Sequence, residues 1–332
     1  MSRQTLRNLL KILVSAGLIT YLFRSQVNLH ELTATLATTR WPYVIAAALV
    51  MIFGTALRGL RWQVLLEALD IRVPLRTLVH LYFVGAFFNM FLPSGFGGDA
   101  VKMAKLGTQT GQAPESIGTT LVERATGLWV LFLMALIALP FSRHLLPAAW
   151  TLPILTLTLG GVVGGFVVMG TPLLPWLGGK IHLPGQDNLT RFYNSVANLG
   201  YPALLKACGI SLIFDILLII FTWLLAEGVD VHQPLGIYLL FTPIISFSLA
   251  LPISVGGLGV REQTFVTLFA AVGVNAASAT AMSLLNYVIT YLVVGLIGGL
   301  FFMLEGVGRP TNRLPDQPTT RPPDSPTNRP TD

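Results

Sequence analysis

Charged residues are scarce in this chain: Asp, Glu, Lys and Arg together account for only 11% of its 332 residues. A soluble domain carries about 25%. Hydrophobic residues make up 53%, and the mean hydropathy is +0.69. Such a chain has too few charged side chains to cover a surface that faces water. The composition therefore excludes a soluble globular protein and predicts an integral membrane protein.

Cysteine is almost absent as well, since Cys208 is the only one. A single cysteine excludes an intramolecular disulfide framework and a zinc site of paired cysteines. The five histidines lack metal-ligand spacing, and no serine stands in a nucleophile elbow with a histidine and an acid. We therefore expect no metal, no cofactor and no enzymatic activity.

The net charge of +6 comes from 21 basic and 15 acidic residues, and no nucleic-acid motif accompanies it. Cytoplasmic segments of membrane proteins collect Lys and Arg. Basic residues concentrate at the N-terminus, in the connections 58–76 and 171–206 and in the tail, whereas the connection 227–234 has no Lys or Arg. This distribution predicts that both termini and the two basic connections face the cytoplasm. We expect no nucleic-acid partner.

A membrane-spanning helix needs about 20 mostly apolar residues. Two apolar stretches, 76–92 and 235–251, are shorter, and each runs into a Pro/Gly break. Full crossings there would separate the cytoplasmic connections by an odd number of spans, so we expect re-entrant hairpins; in the competing layout each opening stretch crosses fully and the next segment returns. We therefore predict an all-α polytopic membrane protein with about six spanning helices and two re-entrant hairpins, eight apolar segments in all. The six expected spans are 7–23, 41–58, 120–140, 150–170, 206–226 and 279–304.

The Pro/Gly break occurs twice in the chain. LPSGFGGDAVK at 92–102 aligns without a gap to LPISVGGLGVR at 251–261, with five of eleven positions identical and an offset of 159 residues. The alternative is chance similarity in an apolar, Gly-rich chain. Duplication predicts two halves, 1–145 and 146–305, and three crossings in the first half would make them inverted repeats, as in many secondary transporters. The residues expected at the breaks are Pro93, Gly97, Gly98, Pro252, Gly256 and Gly257.

A broken helix in a membrane indicates a cavity. Backbone that leaves the helix exposes N–H and C=O groups for which lipid offers no partner, so such backbone persists only inside protein or against water. The two breaks therefore predict a polar cavity between the halves. The segment 306–332 is Pro-rich and repeats PTNR, and we expect it to be a disordered cytoplasmic tail.

Charged side chains within apolar segments are costly unless they are paired or hydrated, so they are the candidate binding residues. Asp99 and Lys102 follow the first break three residues apart, and a helix that begins there presents both on one face. Its N–H groups and Lys102 would then face a lipid phosphate; the alternative is a helix cap beside a lysine that reaches the interface. The candidate substrate-binding residues are Arg58, Arg61, Asp99, Lys102, Glu123, Arg124, Asp215, Arg261 and Glu262.

The basic candidates outside the first hairpin have two interpretations each. Arg261 takes the place equivalent to Lys102 in the second repeat, and we expect it to contact phosphate when the site opens to the other side of the membrane. The adjacent Glu262 is expected to point away from it. Arg58 and Arg61 are either cytoplasmic anchors or an entrance that attracts headgroups. The neighbouring tryptophan, Trp62, fits an interfacial aromatic belt.

Glu123 and Arg124 are expected to open the helix after the first hairpin. They either form structural ion pairs, for example Glu123 with Lys102, or contact the substrate. Asp215 stands alone within SLIFDILLIIF, so it faces a cavity, with a role that includes proton coupling, or makes a packed hydrogen bond. Asn89 either lines a cavity or bonds between helices.

Four motifs carry a family resemblance: RGLRW (58–62), FFNMFLPSGFGGDAVKMAKL (87–106), ERATGL (123–128) and LPISVGGLGVREQ (251–263). They resemble the lysylphosphatidylglycerol synthase transmembrane domain family of flippase-like membrane proteins, over residues 1–305. In bacterial synthases such a domain is held to move aminoacylated lipid between leaflets, while a separate soluble acyltransferase domain makes that lipid. We expect the translocating part alone here, because the tail is too short for a folded catalytic domain.

The resemblance implies a lipid flippase or scramblase that moves anionic, aminoacylated or polyprenyl-linked lipids between the leaflets of a bacterial or archaeal plasma membrane. Its partners would be lipid headgroups, the bilayer and a lipid-modifying enzyme. Two alternatives stay open: a membrane-embedded transferase that acts on lipid headgroups, and a non-transporting partner subunit of a lipid-modifying enzyme.

Overall fold

The computed structural model describes residues 3–91, 97–170, 198–251 and 253–307, and these are helical with no strand. Pro93, Pro252 and most of the predicted tail lie outside the described residues. The helices before residue 145 are α1 Arg3–Ser25, α2 Leu29–Ala37, α3 Trp41–Glu67, α4 Leu75–Asn89, α5 Gly97–Thr110 and α6 Ala113–Ser142. The later ones are α7 Ala148–Gly170, α8 Gly200–Gly228, α9 Leu235–Ala250, α10 Val260–Ala270, α11 Ala276–Tyr287 and α12 Val294–Val307, with a π-helical segment, Val288–Val293, between α11 and α12.

Long apolar helices confirm an all-α polytopic membrane protein. Within the described residues, five stretches are long and apolar enough to cross a membrane. The first predicted span, 7–23, lies in α1, whose described apolar part, Leu13–Ser25, is shorter than a span. The five long stretches are Trp41–Glu67, Ala113–Leu145, Ala148–Val167, Gly200–Gly228 and Ala276–Leu304.

Two predicted boundaries are wrong because charges do not end these helices. The predicted span 41–58 continues as α3 through Glu67, so Arg58 and Arg61 lie within a helix and not in a connection. The predicted span 120–140 belongs to a helix that begins at Ala113, so Glu123 lies well inside α6. Both helices carry their charges past the boundary because ion pairs between the helices compensate those charges, as described below.

The helices flanking each Pro/Gly break are short. The helix α4 has 15 residues and α9 has 16. At 1.5 Å per residue, α4 rises about 22 Å, which is less than the hydrocarbon thickness of about 30 Å. Each packs against the helix that follows its break, α4 against α5 and α9 against α10. These lengths favour hairpins that enter and leave on one side, which stays a prediction.

A second repeated motif forms the connection between α3 and α4 and the connection between α8 and α9. EALDIRVPL at 67–75 matches EGVDVHQPL at 227–235 at four of nine positions. Asp70 and Asp230 both take left-handed backbone conformations, with φ of 60° and 61°. A non-glycine residue adopts that conformation rarely. Two copies of one uncommon turn, at nearly the spacing of the first repeat, support duplication of the chain.

Close backbone approach holds the two parts of the chain together. The helices α3 and α8, which begin 159 residues apart, pack along each other. The helices α4 and α12 also pack together, and a Cβ on Gly298 would overlap the backbone carbonyl of Phe83. Small residues allow such contacts between helices in membranes, where van der Waals packing replaces the hydrophobic effect.

The substitution Gly298→Ala is expected to lower stability by about 1–3 kcal/mol, because the added methyl overpacks a backbone contact. The measurement is the thermal unfolding midpoint in detergent micelles. Gly164→Ala is the matched control, since a Cβ on exposed Gly164 meets no atom within 4 Å. Equal midpoints for the two variants would show that α4 and α12 do not need this close approach.

Candidate functional site

Glu123 is the centre of a buried charge cluster. It is 0% exposed, and its Oε1 accepts a hydrogen bond from Arg61 while its Oε2 accepts one from the Tyr82 hydroxyl. Lys102 Nζ lies 3.2 Å from Oε2, and Arg58 Nε lies 3.8 Å from Oε1. Its partners come from α3, α4 and α5, so this carboxylate of α6 joins four helices. Removal of one member of such a buried pair would leave an uncompensated charge.

A second carboxylate extends the cluster. Asp99 Oδ1 lies 3.4 Å from Lys102 Nζ, and Asp99 Oδ2 pairs with Arg124. Lys102 is 1% exposed and therefore bridges two carboxylates inside the protein. The sequence spacing explains the contact between Asp99 and Lys102, because residues three apart on one helix share a face. Arg58 and Arg61 share a face of α3 for the same reason. Six of the nine candidate residues meet in this one cluster.

Aromatic rings surround the lysine. Lys102 Nζ lies 3.7 Å from the ring centroid of Tyr82 and 4.7 Å from that of Trp62. The assignment of Trp62 to an interfacial belt is wrong: it is 0% exposed, and its Nε1 donates to Thr119 Oγ1 at 3.0 Å. Trp62 points into the protein, where its ring packs edge-on against Tyr82 of α4, with the ring centroids 5.8 Å apart. No sequence signal singled out Tyr82, which lies in an apolar run.

A cavity of about 210 Å³ opens beside the cluster. It is lined by residues of α3, α4, α5 and α6, and also by residues 246–250 and 290–294 from the later part of the chain. A polar cavity lined by both parts of the chain agrees with the prediction, but only the first break contributes to it, through Gly98, and no described residue of the second break lines it. Its charged and polar lining includes Arg58, Asn89, Asp99, Lys102, Arg124 and Tyr291.

The first break is held by a close contact at the start of α5. Asn89 Oδ1 accepts a hydrogen bond of 2.6 Å from the Gly98 N–H. A Cβ on Gly98 would overlap the Gly85 carbonyl, so the position requires glycine. Gly97 and Gly98 begin α5 and place the first turn of that helix, including Asp99, against the cavity.

The second break is built differently. Gly256 and Gly257 take left-handed φ angles of 58° and 80°, which glycine adopts without strain. The expectation that Glu262 points away from Arg261 is wrong: the two form a buried ion pair. Glu262 Oε2 accepts the Gly259 N–H at 2.7 Å, which turns the carboxylate back over the helix start and within reach of the guanidinium.

Arg261 and Glu262 lie apart from the cavity. Arg261 Nε donates to Ser283 Oγ at 3.1 Å, and its guanidinium lies 4.6 Å from the ring centroid of Tyr287. Their part in substrate binding stays a prediction. At the offset of 159 residues, the position equivalent to Glu123 is Met282, so Glu123 has no acidic counterpart in the later part of the chain. The two halves therefore carry different charges at equivalent positions.

Asp215 lies beside the cluster without lining the cavity. It is 2% exposed, and among the described residues its Oδ2 has no hydrogen-bond partner. Ser211, one turn earlier on α8, accepts a 2.8 Å hydrogen bond from Arg61. The carboxyl of Asp215 is therefore a neighbour of the charge network, and α8 joins the four helices that meet at Glu123.

The family model of the lysylphosphatidylglycerol synthase transmembrane region matches residues 8–298. The chain belongs to that family. The match confirms the resemblance carried by the four motifs, and it contains the whole charge cluster and both breaks. No curated protein matches the chain. Membership indicates a multi-pass membrane protein related to lipid modification or flipping.

The substitution Glu123→Gln is expected to destabilise the protein by about 3–5 kcal/mol, because Arg61 and Lys102 lose their shared buried counter-charge. The measurement is the free energy of unfolding, or the thermal midpoint, in detergent. Glu67→Gln makes the same chemical change at the exposed end of α3 and should shift stability by less than about 0.5 kcal/mol. Similar effects at the two positions would mean that Glu123 does not hold the cations.

Proposed function

We propose that the protein moves lipids with anionic headgroups between the two leaflets, as a flippase or scramblase. The observation that carries this proposal is the cavity, whose described lining residues include three cations, Arg58, Lys102 and Arg124, and one acid, Asp99. A cation at the centre of a membrane helix costs about 2.5–3.5 kcal/mol on insertion scales. Three cations gathered at one cavity therefore favour a negatively charged ligand.

The two carboxylates of the cluster stabilise the protein when no headgroup is present. Asp99 and Glu123 share Lys102, and each has an arginine partner as well. An entering phosphate would take hydrogen bonds from the cations on the cavity side, while Glu123 keeps its pair with Arg61, which does not line the cavity. Bonds between arginine or lysine and phosphate are among the stronger hydrogen bonds in proteins. The site is thus suited to reversible exchange of one anion for another.

One helix, α3, separates the headgroup path from the lipid tails. Trp41, Ile45, Leu49 and Phe53 recur every four residues and are between 58% and 62% exposed, so they form an apolar stripe toward lipid. Another side of the same helix carries Arg58 to the cavity. This division favours a path in which the headgroup crosses through the protein and the tails stay in the bilayer.

The setting of the proposed activity follows from the basic segments. Their distribution favours an orientation with both termini in the cytoplasm, and the family resemblance favours a plasma membrane. The cavity's partner is then a membrane lipid, and no catalytic step is needed. A transferase or a non-transporting partner subunit would leave lipid exchange between leaflets at its uncatalysed rate, which makes the alternatives testable.

Lys102→Gln is expected to slow leaflet exchange of an anionic lipid by about 10- to 100-fold, since a hydrogen bond to a charged group contributes about 1.5–3 kcal/mol. The measurement uses purified full-length protein in liposomes and a labelled phospholipid whose outer-leaflet fraction is quenched or extracted over time. The thermal midpoint of each variant shows whether it is folded.

Arg40→Gln is the matched control, because it also removes one cation, from a side chain that is 49% exposed and paired with exposed Asp230. Its exchange rate should equal that of the wild type. If folded wild-type protein exchanges no lipid faster than protein-free liposomes do, the transport proposal fails and the transferase and partner-subunit alternatives take its place.

A further inference from the structure

The charges at the cavity wall do not balance. Arg58, Lys102 and Arg124 line the cavity together with one acid, Asp99, which leaves a formal excess of two positive charges among the described lining residues. Behind the wall, Glu123 pairs with Arg61, so this pair adds no net charge. The wall therefore requires about two negative charges for neutrality, and Lys102, at 1% exposure, has little access to water that would screen it.

Asp215, an acid beside the cluster, does not change the excess of positive charge at the cavity wall. Asp215 does not line the cavity, and among the described residues its Oδ2 has no hydrogen-bond partner. An ionised carboxylate at 2% exposure needs donors for both oxygens, whereas a neutral carboxyl tolerates the site better. We count Asp215 as neutral for that reason, and the excess at the wall stays at two.

One hydroxyl in the cavity lining, that of Thr290 from the later part of the chain, lacks a hydrogen-bond partner within the part of the chain that the structure describes. Thr290 lines the cavity, and its buried Oγ1 has no hydrogen-bond partner among the described residues. It lies in the π-helical segment Val288–Val293, and π-helical turns inside α-helices occur frequently at functional sites. A buried hydroxyl without a partner costs stability, so its place beside a cationic cavity favours a ligand oxygen within its reach.

The cavity is also small. Its volume of about 210 Å³ lies below the range of about 300–1,000 Å³ that drug-sized ligands occupy. A compact phosphate fits that space, whereas a phosphate that bears a sugar or an amino acid needs more. The volume of the cavity and the excess positive charge of its wall therefore both favour a compact phosphate group.

From these observations we propose that the headgroup bound in this cavity is a phosphate monoester, with Arg58, Lys102, Arg124 and Thr290 as its contacts. A phosphate monoester carries about −1.5 to −2 charges at pH 7 and presents three terminal oxygens. A phosphodiester carries one negative charge, and an aminoacyl group adds positive charge that the wall repels. This inference rests on the proposed function and narrows the lipids that the protein moves to those that end in a free phosphate.

The test compares leaflet exchange of four labelled lipids by the full-length protein in identical liposomes: phosphatidic acid, a polyprenyl phosphate, phosphatidylglycerol and lysylphosphatidylglycerol. The first two share the terminal phosphate and differ in their tails, so they distinguish the two sources of that headgroup. We expect at least one of them to exchange about 10-fold faster than phosphatidylglycerol, and lysylphosphatidylglycerol to exchange most slowly. Exchange of phosphatidylglycerol or lysylphosphatidylglycerol at an equal or higher rate overturns the inference and leaves the proposed function standing, whereas exchange of none overturns both.

A pair of variants tests the contact from the far wall. Thr290→Val removes the hydroxyl with little change in shape and should slow exchange of the phosphate monoester by about 5- to 10-fold, with an unchanged thermal midpoint. Thr242→Val is the matched control, because its Oγ1 is also buried without a partner among the described residues but does not line the cavity. Equal exchange rates for the two variants overturn the assignment of Thr290 to the headgroup.

Discussion

The burial of one carboxylate, that of Glu123, is the interaction on which the rest of the site depends. It lies within a membrane helix, where a lone charge costs several kcal/mol, and it stays there because three cations and a tyrosine hydroxyl point to it. Each partner comes from α3, α4 or α5, so the ion pairs fix how these helices lie against α6. The same contacts hold the cations at the edge of the cavity, which joins the stability of the bundle to its chemistry.

The two parts of the chain share backbone features but differ in the charges that they carry. Both have a broken, Gly-rich segment and the same left-handed turn before a short helix, as Asp70 and Asp230 show. In the later part the basic residue at the break, Arg261, is neutralised by its own neighbour Glu262, away from the cavity. Both parts have thus kept the same backbone features, whereas the excess of positive charge over acidic charge lies at the charge cluster of the earlier part. A single headgroup site lined by both parts fits that asymmetry.

Much of the site was predictable from composition and spacing. In an apolar chain each charged residue stands out, and six of the nine candidates meet at one cluster, including the pairing of Lys102 with Glu123. The errors have a common cause. Sequence spacing predicts that Arg58 and Arg61 end a helix and that Glu123 begins one, because the sequence does not show that charges on neighbouring helices compensate each other. Tyr82 and Thr290 went unnoticed, since a single polar residue in an apolar run has no pattern.

The sequence by itself determined that the chain is an all-α membrane protein of the lysylphosphatidylglycerol synthase transmembrane-region family, with a repeated break and a short set of charged candidates. These properties follow from local chemistry: hydropathy, glycine and proline content, and the spacing of residues along one helix. Only the tertiary structure decided which cations line the cavity, which acids neutralise them and how much positive charge remains. Those outcomes depend on distances of 3 to 4 Å between side chains from different helices, and the order of residues along the chain does not contain these distances.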